Sequence, residues 1–219
     1  MATGAFIQAK INYGGAIAAR QIGDPYEQYR AYGTGAPIAP ANLLGFLQAQ
    51  FGADPALKFA RGQTYGKPFF YGVVDISVLN PGDYLVGLLG TFFVCDIERF
   101  SPGMFVQANR TVTISRMQSE VSPGLQTQYG GNVQADDTPV ITSWPAAIMN
   151  MGSKGAANAM QMPNDSKLGT MNVLLPVSVP VTLFVNDIVT DDLGNQYAVS
   201  AAELTALGWR LTVDMWKQG

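Results

Sequence analysis

A short pattern occurs twice in this chain at identical spacing. Asp83 is followed by Gly90 and Phe93 in GDYLVGLLGTFFVC, and Asp187 by Gly194 and Tyr197 in NDIVTDDLGNQYAV. Each copy reads as a β-hairpin. The Asp accepts backbone N–H groups at a turn before its strand. The Gly supplies the positive φ of a tight hairpin, and the aromatic packs across the hairpin into a barrel interior. One β-unit used twice limits the chain to an architecture with two related halves.

The rest of the sequence agrees with a mainly β chain of one or two small barrel or sandwich units behind a short helical N-terminal arm. Gly (24) and Pro (13) are frequent, as turn-rich β folds require. The expected division is an arm over residues 1–60 and a first β unit over 61–120. A loop-rich connection follows over 121–172, then a second β unit over 173–219, the whole forming one composite domain or several.

Within the arm, residues 4–20 have a rough helical apolar face and residues 21–40 read as extended. Residues 41–51 read as a short helix or turn. Strands are expected at 69–79, 83–87, 91–97, 105–107, 110–116 and 139–149, with Trp144 as a core anchor. The alternation of Val177, Val179, Val181, Leu183 and Val185 predicts a further strand with Pro180 on its opposite face. The second hairpin is expected at 188–190 and 196–200, a short helical turn or loop at 201–207 and a closing strand at 209–215.

Charged residues are only 13% of the chain, about half the roughly 25% of an ordinary soluble domain, while apolar residues are 47%. So few charges imply a surface covered by other subunits. Residues 1–120 carry nine Lys/Arg against eight Asp/Glu, and residues 121–219 carry four against eight. That is not the basic footprint of a nucleic-acid binder. The longest apolar runs are too short or too broken by proline to read as membrane spans.

The chain has no histidine and one cysteine, Cys95. Ser-His-Asp and Cys-His nucleophiles, histidine zinc sites and thiolate clusters are therefore excluded. GQTYGKP at 62–68 lacks the first Gly and the Ser/Thr of a phosphate loop. Asp187, Asp191, Asp192 and Asn195 could attract calcium, but read better as a solvated hairpin turn. Asp136 and Asp137 lack a partner for glycoside hydrolysis. No catalytic, cofactor-binding or metal residue is expected. Residues 150–170 form a long loop whose Met151, Lys154, Met160, Met162 and Lys167 are candidate interface residues.

The segments PGDYLVGLLGTFFVC and NDIVTDDLGNQYAVSAAELTALGWRLTV resemble the barrel segments of tailed-phage neck proteins, the head-completion (stopper) and head–tail connector proteins. The resemblance covers about a third of the chain, and Gly87 stands where an acidic turn residue is usual. It implies a non-enzymatic virion protein, assembled in the bacterial cytoplasm as a sixfold homo-oligomeric ring. Its partners would be copies of itself and neighbouring neck, portal-adaptor or tail proteins. DNA would pass through without being bound, and no membrane or cofactor is involved. The alternatives are a capsid decoration, tail or baseplate protein and, further off, a carbohydrate-binding or glycan-cleaving virion module. Tyr65, Phe69, Phe70 and Tyr71 are the aromatic cluster that such a module would use.

Overall fold

The computed structural model describes residues 3–52, 68–117, 137–150 and 170–217. The chain begins with helix α1 (Gly4–Ile22). Six strands follow: β1 (Asp24–Tyr29), β2 (Leu43–Gly52), β3 (Phe69–Val74), β4 (Tyr84–Gly87), β5 (Gly90–Asp96) and β6 (Gly103–Ala108). Six more complete the fold: β7 (Arg110–Met117), β8 (Asp137–Asn150), β9 (Thr170–Leu175), β10 (Ile188–Asp191), β11 (Gln196–Thr205) and β12 (Gly208–Lys217).

Each set closes into an antiparallel barrel. The first runs β1-β2-β3-β6-β5-β4 and back to β1, and the second runs β7-β8-β9-β12-β11-β10 and back to β7. Numbered within its own half, each barrel has strand order 1-2-3-6-5-4. The duplication is therefore a whole barrel, although only one hairpin of it shows in the sequence. Closure matters because it leaves no unpaired strand edge. Both barrels also carry a bulge at the matching point, between Val94 and Asp96 and between Val199 and Ala201.

The register departs from the sequence spacing at one place. Tyr84 faces Phe93 and Leu85 faces Phe92, whereas Ile188 faces Ala198 and Val189 faces Tyr197. The second hairpin has one more residue in its turn, so Tyr197 is the counterpart of Phe92. Strand side chains alternate with period two, and a slip of one moves a residue to the other face. Tyr197 accordingly joins the second barrel's core. Phe92 lies inside the first, with Phe51 stacked on it at 4.1 Å, Leu85, Val94 and Phe105. Phe93 points out of the first barrel and packs with residues of the second.

Four further expectations are corrected. Residues 21–52 are not an extended arm with a short helix: they supply β1 and β2, because β1 closes the first barrel against β4. The alternating valines at 177–185 form no strand. Pro176 and Pro180 lack the N–H a ladder needs, and the segment instead turns Val179 and Leu183 into the core between β9 and β10. Residues 201–205 are neither a helical turn nor a loop: cross-strand pairing with β12 overrides local preference and extends β11. The strand expected at 69–79 stops at Val74 and gives way to a short 3₁₀ turn over Ile76–Val78.

One residue, Asn109, joins the barrels. Its side chain donates to Ile148 O at 2.9 Å and accepts from Ile148 N at 2.8 Å, so it imitates a strand neighbour of β8. Around it, Tyr29, Tyr84, Phe93, Cys95 and Val106 form an apolar outer face of the first barrel, buried against the second. Tyr84 crosses the joint to Trp144 edge-on at 6.2 Å and donates its hydroxyl to Pro145 O at 2.9 Å. Burying side chains of this size is worth roughly 1.5–3 kcal/mol each, against about 1 kcal/mol for a typical hydrogen bond. Apolar burial therefore dominates the joint.

Gly208 opens β12 at φ +125°, where a Cβ would lie 2.3 Å from Leu175 O. Gly208→Ala is expected to destabilise the protein by more than about 1 kcal/mol, read as a lower urea midpoint in circular dichroism.

Candidate functional site

The repeated aspartates sit at the most polar points of the core. Asp83 is 1% and Asp187 2% exposed. Each precedes the fourth strand of its barrel, and an arginine from the end of the first strand grips it. Arg30 Nε and Nη2 donate to Asp83 Oδ1 and Oδ2 at 2.7 and 2.8 Å. Arg116 Nε and Nη2 donate to Asp187 Oδ1 and Oδ2 at 2.8 and 2.9 Å. In both barrels the backbone N–H three residues earlier, of Asn80 or Phe184, completes the grip. The hydrogen bond to Asp83 or Asp187 raises the pKa of each arginine further.

Gln28 Nε2 adds a fourth donor to Asp83 at 2.8 Å. Three of these donors share Oδ2 and the fourth holds Oδ1, so the buried carboxylate is committed to bonds within the protein. The geometry suits structural clamping: the charge that holds the end of β1 to the start of β4 also closes the barrel. Sequence reading found both aspartates but missed the arginines. They lie 53 and 71 residues upstream of their partners, and unequal loops destroy any common spacing.

Gly90 and Gly194 adopt φ +120° and +83° in the two hairpin turns, at the far end of each hairpin from the clamp. Asp191 caps the second turn. Burial alone would raise its pKa, but hydrogen bonds from Asn195, the Leu193 N–H and Tyr197 hold it below the ordinary value. Asp192 points away to Arg110 at 3.8 Å, and Asp187 is committed to its clamp. The four candidate calcium residues thus serve three separate purposes. Among the described residues no cluster of acids or cysteine could hold a metal ion.

The aromatic cluster is dispersed too: Phe70 packs edge-on against Phe92 at 5.5 Å, while Phe69 reaches the surface. Tyr65 and Asp136, with Met151, Lys154, Met160, Met162 and Lys167, lie outside the described residues. Asp137 begins β8.

The surface offers a different kind of candidate. Phe6, Ile7, Ile11, Tyr13, Ile17 and Ile22 of α1 are all exposed. The side of α1 turned to the first barrel carries small or polar residues instead. Ala19 is buried, Gly15 approaches Val74 O so closely that a Cβ would sit 3.2 Å from it, and Gln8 accepts from the Phe100 N–H at 2.8 Å. An apolar groove runs beside the helix, walled by Ile11, Ala18, Val74, Ile76 and Phe100. Leu88, on the turn of the first hairpin, is 88% exposed. None of the described helices is long and apolar enough to cross a membrane.

Compared with protein-family models, curated proteins and solved structures, the chain matches none.

Breaking a buried ion pair from one side leaves an unpaired charge and costs about 3–5 kcal/mol, less where the partner reaches solvent as Arg30 and Arg116 do. Asp83→Asn and Asp187→Asn are each expected to lower stability by about 2–3 kcal/mol, measured by urea denaturation. A wild-type urea midpoint in both would show that the clamps do not hold the barrels.

Burial in the joint pushes the Cys95 thiol from 9.0 to about 12. The folded state therefore keeps a proton that the unfolded chain releases, so stability is full below pH 9 and falls as pH rises from there towards 12. The slope from this group is at most about 1.4 kcal/mol per pH unit. Tyr26, pushed from 10.0 to about 12, adds its own loss only a unit later. Cys95→Ala is expected to flatten the decline between pH 9 and 10 in denaturation midpoints.

Proposed function

We propose that this chain is a structural, non-enzymatic subunit that assembles with copies of itself into a ring, of the kind that joins head and tail in a tailed phage. The observation that carries the reading is the orientation of α1. A helix held to its own barrel by Gly15, Ala19 and Gln8 while its six large apolar side chains stay exposed is built to be covered. The low charge of the chain and the leucine-tipped hairpin point the same way.

The barrels suit such a part. Closed sheets expose no edges that would polymerise without control, and each is fastened by its own clamp. The net negative balance of residues 121–219 suits a wall past which DNA slides without sticking. The neck position itself rests on the resemblance of the two hairpin segments to tailed-phage neck proteins.

Light scattering of the purified protein, with electron-microscopic class averages, tests the reading. Closed rings are expected, sixfold for a neck component. A trimer would favour a capsid decoration protein, and a monomer at high concentration would overturn the assembly role.

A further inference from the structure

Closure gives every strand two neighbours, but β2 outruns one of them. β1 lies along β2 from Leu43 to Ala49, whereas β3 pairs with it only over Ala49–Gly52, because the chain leaves the sheet after Val74. Asp75 fixes that departure: its carboxylate accepts from the Ser77 N–H at 3.1 Å and opens the 3₁₀ turn. The direction of the backbone groups along the uncovered stretch follows from the ladder. The two-residue turn at Leu88 and Leu89 makes Gly87 and Gly90 a hydrogen-bonded pair. Such pairs alternate along antiparallel strands. Carried from β4 across β1, the alternation bonds Gly45 and Leu47 to β1 and aims the N–H and C=O of Phe46 and Gln48 away from it. Among the described residues nothing bonds to these four groups.

The second barrel has the same gap and fills it. β8 is the counterpart of β2, and β9 stops short of it at Leu175 as β3 does at Val74. Three residues before the clamp arginines stand Glu27 and Thr113. Glu27 faces Phe46, and Thr113 faces the bulge formed by Thr142 and Ser143. The Thr142 N–H donates to Thr34 O at 3.0 Å, and Trp144 Nε1 donates to the same carbonyl at 3.2 Å. Thr34 belongs to the connection between β1 and β2, so the first barrel covers this edge for the second. On the first barrel it stays bare. Phe46 is 73% exposed, and Leu43 and Leu44 are exposed beside it. Residues 43–52 hold neither a charge nor a proline, the usual guards of a bare edge.

We infer that this edge of β2 pairs with the same edge of a second copy, antiparallel about a twofold axis at Phe46. Free backbone donors and acceptors in a row call for an extended strand, and three features make that strand the chain's own. A twofold at Phe46 sets its N–H and C=O against the C=O and N–H of the partner's Phe46. The uncharged run brings no like charges face to face. Val74 occupies the edge from Ala49 onward, so a second β2 fits only over residues 44–48, which centres the pairing on Phe46. Phe46 then faces the partner's Phe46 with Cα atoms about 5.5 Å apart, and Leu44 faces the partner's Gln48 on the same outer side. The contact is isologous and closes at two copies. It therefore goes beyond the ring reading, and rings that carry it would stack in pairs.

Phe46→Lys would set two ammonium groups face to face. It is expected to weaken the twofold contact by about 10-fold or more, read by light scattering as a halved mass, with a wild-type circular-dichroism melt. Phe46→Cys supplies a second measurement should that variant melt early. Residue 46 meets itself only across a twofold, so a short bis-maleimide linker is expected to convert most chains into covalent dimers. A wild-type dimer that cross-links through position 46 would support this inference and overturn the ring. A wild-type ring whose Phe46→Cys form does not cross-link, or whose mass is unchanged by Phe46→Lys, would overturn this inference and leave the ring standing. A wild-type monomer at high concentration would overturn both.

Discussion

Everything in this fold hangs on a buried carboxylate held by a distant arginine. The Asp83–Arg30 and Asp187–Arg116 pairs each tie the end of a barrel's first strand to the start of its fourth. In each barrel that seam is where the sheet closes on itself. Two charges taken out of water add little net stability, because desolvation offsets most of their attraction. What they add is specificity. The fork of an arginine accepts a carboxylate in one geometry, so it fixes the register at the seam, where a one-residue slip would turn the core outward.

Around equivalent clamps, the two barrels have diverged on their outer faces. Where the first barrel carries Tyr29, Tyr84, Phe93, Cys95 and Val106, the matching positions of the second carry Ser115, Ile188, Ala198, Ser200 and Asp214. The first face is apolar because the second barrel covers it. Apart from the buried Ile188, the matching positions of the second barrel are small or polar. The apolar face of the first barrel is already covered within the chain, and most of the matching positions of the second barrel lack comparable apolar side chains. The proposed assembly would have to use other surfaces, and the exposed apolar residues of α1 are one.

Part of this was legible beforehand. The Asp–Gly–aromatic spacing marked both hairpins because hairpin geometry is local: a turn glycine and a strand start lie within a dozen residues. The clamps were invisible because their arginines lie across loops of unequal length. The valines at 177–185 misled because alternation signals a strand only where a neighbour is free to pair, and two prolines removed the donors. Residues 201–205 misled in the opposite sense, since pairing with β12 outweighed local preference.

The sequence by itself determined that the chain is β-rich, internally repeated and poor in charge. It also excluded histidine-based chemistry and thiolate clusters, because residues the chain lacks cannot be restored by folding. Only the tertiary structure decided that the repeat is a whole barrel. It alone showed that Tyr197 matches Phe92 rather than Phe93, and that α1 leaves its large apolar side chains exposed. These depend on register and on which face meets which, quantities set by contacts between residues far apart in the chain.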